Sequence, residues 1–100
     1  MHVDSLGPEN GTLTAVSVST NAATLAAANL ARRGMLITNV GSTSLFVGLA
    51  ATTPTTTLFS VEILSGITYE VPNSTGGPYR GIVQGIRASG TANAVITEMT

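Results

Sequence analysis

Apart from its serines and threonines, this chain has few side chains able to do acid–base, nucleophilic or ligand chemistry: five carboxylates, four arginines, two tyrosines and one histidine. Cysteine, lysine and tryptophan are absent. Two of the acids, Glu62 and Glu70, flank a predicted turn at Ser65-Gly66. Carboxylates that cooperate in hydrolysis converge within roughly 5–10 Å in a cleft. The alternative for each is an exposed cross-strand position facing Arg32, Arg33, Arg80 or Arg87, and that ion-pair reading is preferred. The other acids, Asp4, Glu9 and Glu98, form no spaced pair with them.

Arg32-Arg33 precedes an apolar run and has two readings. A guanidinium fork can anchor a carboxylate of a partner subunit, or it can pin the local turn through an intrachain pair. Tyr69 and Tyr79, with Asn73 between them in sequence, carry the elements of a sugar-stacking face. Packing of both rings in the core or at an interface is the preferred alternative. His2 falls in the N-terminal arm, where neither a metal nor a catalytic role is expected. Asn10-Gly11-Thr12 and Asn73-Ser74-Thr75 fit the glycosylation acceptor pattern, which arises often by chance in a chain this rich in Ser and Thr. No phosphate loop, dinucleotide fingerprint or nucleophile elbow is present. The expectation is a non-enzymatic protein with no catalytic residues, no cofactor and no metal.

The elements that would position these residues read as β structure throughout. Residues 1–11 are a polar arm punctuated by Gly7-Pro8 and Asn10-Gly11. TLTAVSVST (12–20) alternates and is rich in β-branched residues, as strands are. Residues 22–31 favour helix by their alanines, but they lack an extended helical stripe and read as a strand running into a turn, with one helical turn as the alternative. GMLITNVG (34–41) and SLFVGLA (44–50) predict a hairpin across Ser42-Thr43. ATTPTTT (51–57) reads as an exposed connection. LFSVEIL (58–64) and ITYEVP (67–72) predict a second hairpin, with Phe59, Val61 and Ile63 on one face. NSTGGP (73–78) is a loop. YRGIVQGIRA (79–88) is a strand in which Gly81 and Gly85 mark bulges or close backbone approaches. TANAVITEM (91–99) follows the Ser89-Gly90 turn. Seven or eight short strands at this spacing predict one all-β domain over 12–100, a small antiparallel β-sandwich or jelly-roll-like barrel.

Composition bounds the partners. Charged residues make up 9% of the chain, hydrophobic residues 43%, and the net charge is −1. Soluble monomers carry about 25% charged residues. A chain this poor in charge reads either as a Thr/Ser-coated monomer or, as preferred, as one whose surface is buried in large part against other subunits. Phosphate backbones need several cations on one face, so nucleic acid is not an expected partner. The alanine-rich 22–31 stretch is too short and too polar to span a membrane. The opening residues show no secretory signal pattern.

Two stretches carry a resemblance. ANLARRGMLITNVGSTSLFVGL (28–49) and GITYEVPNSTGGPYRGIVQGIRASGTANAVITE (66–98) are similar to a recurrent type of small bacteriophage virion protein. The matching motifs are Ala31-Arg32-Arg33-Gly34, Tyr69-Glu70-Val71-Pro72, Gly85-Ile86, and Gly90-Thr91-Ala92 with Val95 and Glu98. Proteins of this kind occur as capsid decoration (cement) proteins and as modules of head fibres or tails. The resemblance implies a β-sandwich, commonly a homotrimer, made in the host cytoplasm and bound to the major capsid protein at the virion surface. A receptor- or glycan-binding module of a tail or fibre is the alternative. Partner contacts would then fall to Arg32, Arg33, Glu62, Glu70, Tyr69 and Tyr79. Gln84 and Arg87 stand where aromatic residues would be expected, which departs from an aromatic binding patch.

Overall fold

Alternating β-branched and small residues give strands whose one face is apolar, and here two such layers close on each other. The structure is a computed structural model that describes residues 10–74 and 76–100. The expected arm therefore lies outside the described residues up to position 9, and Gly11 already belongs to a strand. Among the described residues ten strands run in chain order: β1 (Gly11–Val18), β2 (Ala23–Ala26), β3 (Gly34–Asn39), β4 (Leu45–Leu49), β5 (Val61–Ile63), β6 (Thr68–Glu70), β7 (Asn73–Ser74), β8 (Gly77–Pro78), β9 (Val83–Arg87) and β10 (Ala92–Met99). Eight of them form two four-stranded antiparallel sheets, ordered β1-β10-β3-β6 and β2-β9-β4-β5, and β7 pairs with β8 in a separate ribbon. The all-β sandwich read from the sequence is the fold found.

With the exception of β4 to β5, consecutive strands of the two sheets lie in opposite sheets. That is the connectivity of a jelly roll, and it corrects both predicted hairpins. The two-residue hairpin turns require a positive φ, and residues 40–44 contain none. Instead the Asn39 side chain gathers the corner: its Nδ2 donates to the carbonyls of Thr43 and Ile63, both at 2.8 Å, and its Oδ1 accepts from the Gly41 N–H at 3.0 Å. The chain thus leaves β3 in one sheet and enters β4 in the other. Between β5 and β6 the turn at Gly66, with φ 77°, does the same. Segment 22–31 resolves as a strand and a turn, with a register shift between Thr24 and Ala26 of β2.

Met35, Ile37, Ala94 and Ile96 of one sheet pack against Leu25, Leu45, Val47, Ile63 and Val83 of the other, all buried. Full burial of one such aliphatic side chain is worth about 1.5–3 kcal/mol. Gly85 permits the close approach expected of it. A Cβ there would stand 3.1 Å from Leu25 Cδ1 and 3.2 Å from Leu45 Cδ1. The 51–57 connection is mostly exposed, but Pro54 is buried against Gly48 on the outside of β4.

Candidate functional site

Both ends of the sandwich are closed by a buried arginine. At the end where β1 begins and β10 finishes, Arg32 is fully buried. Its Nε donates to Glu98 Oε2 at 2.7 Å, Nη1 donates to the carbonyls of Tyr79 (3.0 Å) and Gly81 (2.9 Å), and Nη2 donates to that of Ala27 (2.7 Å). Arg80 adds a bond from Nε to the Arg32 carbonyl at 2.8 Å. One guanidinium fork thereby fastens β10 to the segments that follow β2 and β8. Desolvating a cation is costly unless a carboxylate and well-placed acceptors replace its water, and all of these are present.

At the opposite end Arg87 is 1% exposed and has no carboxylate within ion-pair distance among the described residues. Its Nη1 donates to the Thr43 carbonyl at 2.8 Å and its Nη2 to that of Asn93 at 3.2 Å, while Nε has no partner among the described residues. Burial pulls this guanidinium below its usual pKa. Asn39, also fully buried, shares the Thr43 carbonyl with it.

Of the six residues singled out by the sequence, Arg32 and Tyr79 meet, through the bond from Arg32 Nη1 to the Tyr79 carbonyl, while Glu62 and Glu70 lie in different sheets. Arg32 has its donors turned onto Glu98 and carbonyls of its own chain, the intrachain one of its two readings. Arg33 is half-buried beside it, with its backbone N–H on the Met99 carbonyl at 2.7 Å. Glu62 is exposed opposite Phe46, and Glu70 is exposed opposite Leu36 in the other sheet. They lie in different sheets and are not cross-strand neighbours on one hairpin. Tyr69 lies opposite Ile37 and packs against the core, where burial raises its pKa. Tyr79 also packs against the core, and its hydroxyl donates to the Ile82 carbonyl at 2.7 Å. The two rings make no exposed stacking face.

Reasoning from sequence missed the inward roles of Glu98 and Arg87, although strand parity carried the signal. Glu98 shares a face with buried Ala94 and Ile96, and Arg87 with buried Val83 and Gly85. A charge at an inward position implies a buried partner.

Several large apolar side chains also stand outside. Phe59 meets Phe46 edge to face, with ring centroids 5.0 Å apart. The chain enters β5 only at Val61, so Phe59 turns to the outer surface, away from the face it was expected to share with Val61 and Ile63. Beside it opens a cleft of about 230 Å³ between Gly48, Pro54, Leu58 and Phe59, with no charged residue in its lining. Leu58 is 60% exposed, and the Thr55 hydroxyl accepts from the N–H groups of Thr57 and Leu58 to hold that loop in shape. At the Arg87 end, Val40, Leu64 and Ile67 are exposed as well. Among the described residues, no group of three or more His, Asp or Glu could hold a metal ion. No family model, curated protein or solved structure matches this chain.

Proposed function

We propose that this chain is a phage capsid decoration protein, a non-enzymatic subunit that binds the outer surface of the head and stabilises contacts between major capsid subunits. The observation that carries the reading is the distribution of polarity. Arg32, Glu98 and Arg87 are engaged inside the sandwich, while Leu13, Leu30, Leu58, Phe59 and Leu64 are exposed on a surface with few charges. Isolated exposed apolar residues are ordinary, but apolar side chains around a charge-poor cleft mark a surface made to be covered. The sequence resemblance to small virion proteins points the same way.

The mechanism is passive. Each contact buries apolar area at about 25 cal/mol per Å², and only the excess over the cost of association appears as affinity. A homotrimer would hold three capsid contacts at once, so that each raises the effective concentration of the others. Antibody labelling of phage particles viewed by electron microscopy tests the reading. Regular labelling over the head is the expected result. Labelling confined to the tail would replace it with a receptor- or glycan-binding module, and unlabelled intact particles would remove the virion assignment.

A further inference from the structure

We infer that β1 is a docking edge for a second copy of this chain, paired antiparallel through its own β1 with Thr14 on the two-fold axis. The inference stands on β1 alone and is independent of the capsid reading.

The two sheets have four edges, and three are guarded. β5 and β6 each span three residues, β6 carries exposed Glu70, and β2 is short with a register shift. Short length, charge and bulges are the features that keep edges from recruiting another strand. β1 has none of them: it runs eight residues in unbroken register along β10, without a charge or a proline. Every residue from Gly11 to Ala15 is exposed, so both faces of this half of the strand stand in solvent, and Leu13 is 74% exposed.

The ladder fixes which backbone groups are free. The Thr100 N–H donates to the Asn10 carbonyl at 2.8 Å, which makes Asn10 and Thr100 a hydrogen-bonded pair. In an antiparallel ladder such pairs alternate, so residues 12, 14 and 16 bond β10. The N–H and C=O groups of Leu13, Ala15 and Ser17 therefore point away from the sheet, without a backbone partner among the described residues.

A second copy of β1 fits this edge because the strand is self-complementary. It carries no charge to repel its own image. With Thr14 on the axis, residues 11–17 of the two copies overlap completely. Leu13 then lies across from Ala15 of the partner subunit, and the reciprocal pair repeats it, covering both exposed leucines. The result is a continuous sheet through two molecules. Such a ladder buries less than the roughly 800 Å² per partner of a standard interface, so pairing depends on concentration.

The test measures mass in solution against concentration for the full chain, wild type and variants. Ala15→Pro removes an N–H that faces outward, and an edge strand tolerates that; Leu13→Lys places a charge beside its own image. The expected result is a wild-type mass at an even multiple of 10.1 kDa that halves in both variants. In a trimeric protein the same contact joins two trimers, so the halving remains the readout. If Ala15→Pro loses its cooperative melt, Leu13→Lys alone decides. Register is read by Thr14→Cys in this cysteine-free chain. Non-hydrogen-bonded pairs place Cα atoms about 4.5 Å apart, within disulfide reach, so this variant should cross-link under mild oxidation. Thr12→Cys should not, because four residues of offset separate its sulfur from its mate by about 13 Å. A protein that is monomeric up to its solubility limit, an assembly that both edge variants leave intact, or cross-linking of Thr12→Cys in preference to Thr14→Cys would each overturn the inference.

Discussion

Arg32 and Arg87 are both interior, yet different partners hold them, and their substitutions should differ accordingly. Arg32→Ala would leave the Glu98 carboxylate and three carbonyls without their shared donor. Breaking a buried pair from one side costs about 3–5 kcal/mol, to be read as a lower urea midpoint at unchanged slope. Arg32→Lys should recover little of it, because an ammonium on a flexible stem cannot reproduce the planar fork. Tyr69 gives a pH signature. Its pKa is raised in the folded state by burial, so the folded protein holds the phenolic proton where the unfolded chain has lost it. Its contribution is complete below the unfolded value of about 10 and declines as pH rises through the higher folded value. Melts at alkaline pH should show that decline in wild type and less of it in Tyr69→Phe. Arg87 acts with the opposite sign nearer its own, higher pKa, so the Tyr69→Phe comparison isolates the tyrosine. At this scale the sequence offered residue types but not directions. Arg32 could point to a partner or into its own chain, and only the three-dimensional course of the segments after β2 and β8 decides that.

Among the elements, strands were legible and their pairings were not. Period-two alternation located β1, β3, β4, β9 and β10 to within a few residues, because one buried face imposes it. The same alternation suits a hairpin and a corner between sheets equally well. The difference lies in turn geometry and in Asn39, whose amide ties the β3–β4 corner to the end of β5 far along the chain. Asn39→Ala should therefore cost more than an exposed Asn, about 1–3 kcal/mol for the acceptors and donor left unmet in the interior. Gly41 lies in the same corner, where a Cβ would come within 2.6 Å of Ala92 Cβ and 2.9 Å of Arg87 Nη2. Gly41→Ala should lower stability by about 1–3 kcal/mol through overpacking. Thermal melts of both variants measure this corner directly.

For the molecule as a whole, composition speaks through the surface. The chain has few charges, and apolar side chains are exposed on the outside of β4, at the Arg87 end and along β1. If the cleft beside Phe59 docks on a capsid, Leu58→Ser should lower the number of copies bound per particle. Its side chain is 60% exposed, so the melting temperature should hardly move. Equal occupancy of wild type and Leu58→Ser on purified heads would direct attention to another face.

The position of β10 has a consequence for synthesis. Residues 92–99 form an inner strand of their sheet, between β1 and β3, although the nine other described strands precede them. Until a ribosome releases them, β1 has no neighbour to pair with, and half of the sandwich lacks its middle. Folding must therefore wait for translation to pass β10, and it then proceeds through contacts distant in sequence, which form slowly. During that delay the uncharged segment of β1 is bare in the nascent chain, a hazard when many copies are made together. Arrested chains ending before Ala92 should be protease-sensitive along their whole length, and chains carrying β10 clear of the ribosome should become resistant in a single step.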